Sequence, residues 1–135
     1  AQITNVTGDG TIYTLVFDGE IYDQGGNMTT NTFTAPVDGI YLFGLSVNCN
    51  GLAADQTDIQ LYIQTSNASC IGGPRSPGPN RNVNNDNNFG FSLVTEMDAS
   101  DTAYCTIRIM NGSKVVDIGG SLGTYNTWFN AQLLA

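Results

Sequence analysis

Large apolar side chains and smaller or polar ones trade places residue by residue through most of this sequence. In residues 39–49, Tyr41, Phe43, Leu45, Val47 and Cys49 alternate with Ile40, Leu42, Gly44, Ser46 and Asn48. A strand points successive side chains to opposite faces, so this order builds one apolar face and one mixed face. Residues 58–64 repeat it, with Ile59, Leu61 and Ile63 set against Gln60, Tyr62 and Gln64. Residues 11–17 contribute Tyr13, Leu15 and Phe17, and residues 127–134 contribute Phe129, Ala131 and Leu133. Segments 89–97 and 102–110 flank Asp98-Ala99-Ser100-Asp101 and are expected to form a hairpin about that turn. On its second arm Ala103, Cys105, Ile107 and Ile109 face one way, and Tyr104, Thr106 and Arg108 the other. Such strands recur along the chain with Gly, Asn or Asp between them, and no window holds a helical stripe. The expected fold is all-β: one sandwich domain covering residues 1–135.

Composition narrows the function. The chain contains no histidine, which removes the commonest general base, the Ser-His and Cys-His nucleophile pairs and the commonest metal ligand. Four basic residues against twelve acidic ones give a net charge of -8 without a basic cluster, so neither nucleic acid nor an anionic membrane surface is an expected partner. No apolar run approaches the roughly 20 residues that span a bilayer, and no leader pattern opens the chain. The chain is expected to be soluble, and Ala1 fits a complete small protein and a trimmed fragment equally well.

Cys49, Cys70 and Cys105 are too few and too far apart for a zinc motif or a disulfide framework. At least two of them are expected to be plain core residues, with a Cys49 to Cys105 bridge as the alternative.

Three groups of polar residues invite a functional reading. Asp55 and Asp58 form the nearest local carboxylate cluster, a candidate Ca²⁺ site whose alternative is a solvated acidic surface. Stretch 71–88 breaks the alternation: it holds three of the four prolines and reads as a long surface loop enclosing one short strand. Its two arginines and its asparagines make Arg75, Asn80 and Arg81 candidate contacts for a glycan, against the alternative of a merely polar loop. The pairs Asp98/Asp101 and Asp18/Glu20 lack an acid-base partner, and the first pair suits a turn, so no catalysis is assigned. The sequons at Asn5, Asn27, Asn67 and Asn111 are read as chance matches in an Asn- and Thr-rich chain.

The stretch Phe33-Thr34-Ala35-Pro36-Val37-Asp38-Gly39-Ile40-Tyr41-Leu42-Phe43 resembles the segment that marks the globular heads of complement component C1q and its relatives. There a Phe stands a few residues ahead of G-x-Y-x-F. Upstream, Phe17 followed by Asp23 fits the same pattern, and Met28 stands where the family has an aromatic. Downstream, Ser92 to Met97 with the Asp98 to Asp101 turn is similar to the family's penultimate hairpin. Thr127-Trp128-Phe129-Asn130-Ala131-Gln132-Leu133-Leu134 is similar to its closing strand. Pro36 suits the beginning of a strand and Gly39 a turn, while Phe17, Phe33, Tyr41, Phe43, Phe129 and Leu133 are expected to be structural core.

The resemblance implies a ten-strand, C1q/TNF-like jelly roll that assembles as a homotrimer and binds without doing chemistry. Outward apolar positions Ile40, Leu42, Tyr62 and Trp128 suit such an assembly. The phrases at 8–14 and 17–25 resemble the versions found in phage and other virion proteins, and no collagen-type Gly-X-Y repeat precedes the head. The expected role is a capsid decoration protein on a virion surface, with the capsid shell protein as partner. The alternatives are a glycan-binding head of a phage tail fibre and a secreted microbial lectin or adhesin.

Overall fold

Alternation fixes which face of each strand is buried, and burial does most of the folding. In a computed structural model of the chain, which describes residues 2–17, 19, 23–29, 31–73, 75–120 and 126–135, Tyr41, Phe43, Leu45, Val47 and Cys49 are all buried. The described residues form eleven strands and no helix: β1 (Ile3–Thr7), β2 (Ile12–Thr14), β3 (Met28–Thr29), β4 (Thr32–Thr34), β5 (Gly39–Asn50), β6 (Asp58–Thr65), β7 (Ser69–Gly72), β8 (Asn87–Met97), β9 (Thr102–Met110), β10 (Val116–Ile118) and β11 (Trp128–Leu133). That is one more than the ten implied by the resemblance.

Two antiparallel sheets face each other. In the first, β5 is the spine: β8 runs along one edge, while β11 and β10 share the other and β1 continues outward from β10. In the second, β9 pairs with β6 on one side and with β4 and β2 on the other, flanked by β7 and β3.

Between them lies one apolar layer. Tyr41, Phe43, Leu45, Val47 and Cys49 from β5 meet Ala103, Cys105, Ile107 and Ile109 from β9, together with Ile59, Leu61 and Ile63. Burial of each large side chain contributes about 1.5–3 kcal/mol. Five aromatics from distant segments join into one string: Phe17 and Phe129 at 6.0 Å, Phe129 and Phe43 at 5.8 Å, then Phe33 at 5.5 Å from both Phe43 and Tyr41. The Tyr41 hydroxyl donates to the Val37 carbonyl at 2.7 Å, which satisfies the ring's polar end. Cys49, Cys70 and Cys105 are free thiols, so the Cys49 to Cys105 bridge is not formed.

Several expectations are corrected. The expected hairpin is absent: β8 pairs with β5 in one sheet and β9 with β6 in the other. Residues 98–101 therefore form an arch between the layers. It turns through an Asp101 N–H to Asp98 carbonyl bond of 3.0 Å with Ser100 at φ 78°. Ser100 N–H donates to Ala35 O, and Ala35 N–H donates to Asp101 O, both at 2.8 Å. These bonds hold the arch against the approach to β5.

Gly39 does not make the turn either. It is strand backbone, and a Cβ there would stand 2.6 Å from a Leu133 methyl and 2.7 Å from the Ala135 carbonyl oxygen, so glycine admits the returning C-terminus. Leu133, expected in the core, alternates with Phe129 and Ala131 on β11 and is the register partner of buried Tyr41, yet it is 46% exposed and does not join the apolar layer. Of the outward apolar set, Ile40, Leu42 and Trp128 share the outer face of the first sheet, whereas Tyr62 is on the outer face of the second. Asp18, Glu20 and part of the 17–25 phrase lie outside the described residues.

Candidate binding surface

The loops that carry the candidate residues meet at one end of the sandwich. A single buried side chain organises them. Gln56, between Asp55 and Asp58 in sequence, has no solvent exposure. Its Oε1 accepts the Ala53 N–H at 2.8 Å, and its Nε2 donates to the Ser113 carbonyl at 3.1 Å. Its own carbonyl accepts the Gly78 N–H at 2.8 Å. One glutamine thus ties loop 51–57 to loop 111–115 and to the long loop 73–86. Close packing enforces the arrangement: a Cβ on Gly78 would lie 2.1 Å from the Ala53 oxygen, and one on Gly8 would lie 2.0 Å from the Ser113 oxygen. No sequence pattern singles out Gln56; its burial follows from three loops converging on it.

The long loop is laced to itself as well. Arg81 Nη1 donates to the Gly78 carbonyl at 2.7 Å and its Nε to Asn85 Oδ1 at 3.1 Å. Asn80 Nδ2 donates to the Ser76 carbonyl at 2.7 Å, and Asn82 Oδ1 accepts the N–H groups of Asn84 and Asp86. Asparagine suits this work because its short amide copies a backbone group and tolerates left-handed φ, as Asn85 does at 63°. Pro77 and Gly78 are buried, while Val83 at the tip is 97% exposed. The short strand expected inside 71–88 is not found among the described residues: β7 ends at Gly72 and β8 begins at Asn87.

The structure brings together residues that the sequence assigned to different sites. Arg75 Nη2 lies 3.0 Å from Asp58 Oδ1, with Arg75 Nε at 3.1 Å from the same oxygen, an exposed pair. A pair of this kind contributes at most about 1 kcal/mol. Asp58 thus faces a guanidinium, and Asp55 lies beside Gly112. Among the described residues no group of three or more His, Cys, Asp or Glu side chains is arranged to hold a metal ion. The Asp98/Asp101 pair serves the arch: Asp101 Oδ2 accepts the Asp98 N–H at 2.9 Å and the Asn67 amide at 2.9 Å.

Burial pushes the Cys49 and Cys105 thiols well above the ordinary thiol range, so both stay protonated and unreactive in the core. Two exposed aspartates shift the other way. Thr11, through its hydroxyl and then its N–H, holds Asp9 below the ordinary carboxylate value, and the N–H groups of Met28 and Asn27 do the same for Asp23.

A further surface feature is the outer face of the first sheet. Leu42 stands opposite Val94 on β8 and opposite Gln132 on β11, and Ile40 is bonded through its backbone to Leu134 and Ala135. Ile40, Val94, Leu134 and Trp128 are exposed there. Gly44, Ser46, Asn48 and Asn88 continue the face toward the loop end with small and amide side chains.

No family model and no curated protein matches the sequence. Solved structures do match the fold. The globular domain of the zebrafish complement 1qA protein superposes with a TM-score of 0.56 at 12% identity, covering 99% of this chain and 95% of that one. The Eiger TNF from S. frugiperda gives 0.56 at 11% identity over 94% and 89% of the two chains. Murine APRIL gives 0.50 at 9% identity over 87% and 90%. At TM-scores of 0.56 over nearly the whole of both chains, the chain has the all-β jelly-roll fold of C1q and TNF globular domains.

Proposed function

We propose that this chain is a non-catalytic binding module that assembles as a homotrimer and works on a virion surface as a capsid decoration protein. The observation that supports the assembly is the outer face of the first sheet. Ile40, Leu42, Val94 and Trp128 lie there on three adjacent strands, with Leu134 just past the end of β11 and bonded to the Ile40 carbonyl. Apolar side chains concentrated on one flat face mark protein contact, and the likeness to C1q and TNF domains favours three copies meeting through it. The likeness of residues 8–14 and 17–25 to virion proteins supports the location. In this role the trimer would clamp neighbouring shell subunits and leave its pinned loops free.

Sedimentation equilibrium should return about three times the 14.4 kDa chain mass at micromolar concentration, and a double variant Ile40→Asp with Val94→Asp should return a single chain. A monomeric parent overturns the assembly. An image of the particle that places the chain on the shell supports decoration.

A second reading, attachment to host glycans, draws on the preorganised loop, because Arg75, Asn80 and Arg81 sit on a framework held by buried Gly78 and Gln56. Preorganisation lowers the entropy cost of binding. If attachment is the role, exchanging both arginines for alanine weakens adsorption to host envelope glycans, and the particle image shows the chain at a fibre tip.

A further inference from the structure

The chain contains two Asn-Gly steps, Asn50-Gly51 and Asn111-Gly112, each at the end of a long strand. Asn-Gly is chemically labile because glycine lets the following backbone nitrogen reach the asparagine side chain. We propose that Asn50 is a spontaneous modification site of the folded protein, whereas the fold protects Asn111. The Gly51 nitrogen attacks Asn50 Cγ; the Cγ–N bond forms, the Cγ–Nδ2 bond breaks and ammonia leaves, closing a succinimide. Water then adds to either ring carbonyl, leaving aspartate or isoaspartate and one more negative charge.

The two steps differ in whether their reacting groups are hydrogen-bonded. Gly51 is exposed at φ 74°, and its N–H donates to no backbone group among the described residues. The Asn50 amide donates no hydrogen bond among those residues. At the other step both reacting groups are tied down. Gly112 N–H donates to the Gly8 carbonyl at 3.0 Å, and Asn111 Nδ2 donates to Thr57 Oγ1 at 2.9 Å.

The consequence falls on β1. Asn50 is the register partner of Asp117, and both side chains point to the outer face of the first sheet. The Asp117 carboxylate accepts the Asn5 N–H at 2.8 Å and the Gln2 amide at 2.9 Å, tying β1 to β10. A new carboxylate directly opposite it places like charges on neighbouring strands. Isoaspartate additionally lengthens the backbone at the last residue of β5. Either product loosens the attachment of β1.

The test holds the purified chain at mildly alkaline pH and follows each site by peptide mass mapping. Conversion at Asn50 should run about tenfold faster than at Asn111, equivalent to about 1.4 kcal/mol, which two surface hydrogen bonds supply. In urea the two rates should converge. Equal rates in the folded protein, or a preference that persists in urea, overturns the proposal. An Asn50→Asp variant should melt below an Asn111→Asp variant; the reverse order refutes the effect on β1.

Discussion

At the scale of single residues, Gln56 and the aromatic string show two kinds of legibility. Phe33 came only with the family resemblance, whereas Tyr41 and Phe43 were readable as core, and Phe17 and Phe129 as packing against it, because large rings at alternate positions have one place to go. Gln56 was not, since a lone glutamine in a polar stretch carries no periodic signal. Its truncation to alanine leaves the Ala53 N–H and Ser113 carbonyl unpaired in a buried site, and each such group costs roughly 1–3 kcal/mol. Urea unfolding of Gln56→Ala should therefore show a loss of at least about 2 kcal/mol. Charge acts at this scale too. Asp9 and Asp23 are held below the ordinary value of 3.8, so the unfolded chain binds more protons than the folded one in acid. Their stabilisation is complete above 3.8 and is lost as pH falls through the lower folded values. An Asp23→Asn variant should be less stable than the parent at neutral pH and lose less on acidification; parallel acid curves would show that the Met28 and Asn27 contacts contribute nothing.

At the scale of elements, alternation located β5, β6, β8, β9 and β11 to within one or two residues, because each is long enough to show its period. The short strands β3, β4 and β10 are set by their partners, and two or three residues carry no period. Alternation also says nothing about who pairs with whom. Residues flanking a good turn read as a hairpin, yet here the Asp98 to Asp101 turn bridges two sheets because Ala35 supplies its outside partners. The candidate residues were legible as residues and not as a geometry. Arg75 and Asp58 lie far apart in sequence, and only the pairing of β6 and β7 brings the loop after β7 back beside the start of β6. The pinning of that loop can be checked through Gly78. Gly78→Ala places a methyl against the Ala53 carbonyl and should destabilise by about 1–3 kcal/mol. Hydrogen exchange should show the loss concentrated at Gly78 and Leu52, whose N–H groups anchor the loops; a uniform effect would argue against a local anchor.

At the scale of the whole molecule, fold class followed from composition and period, whereas assembly rests on a face whose purpose no single strand reveals. If three copies share it, unfolding is coupled to association, and the midpoint temperature should rise with protein concentration. A midpoint constant over a hundredfold dilution would leave the monomer as the stable unit. The wiring has its own consequence. Only β3 with β4 and β6 with β7 are neighbours both in sequence and in a sheet; every other pairing joins segments separated along the chain. Loops must close before such contacts give any return, so the chain belongs with the slow folders, at milliseconds to seconds. Newly made copies therefore pass through an interval with β5 and β9 unpaired, and the net charge of -8 provides mutual repulsion against premature sticking during it.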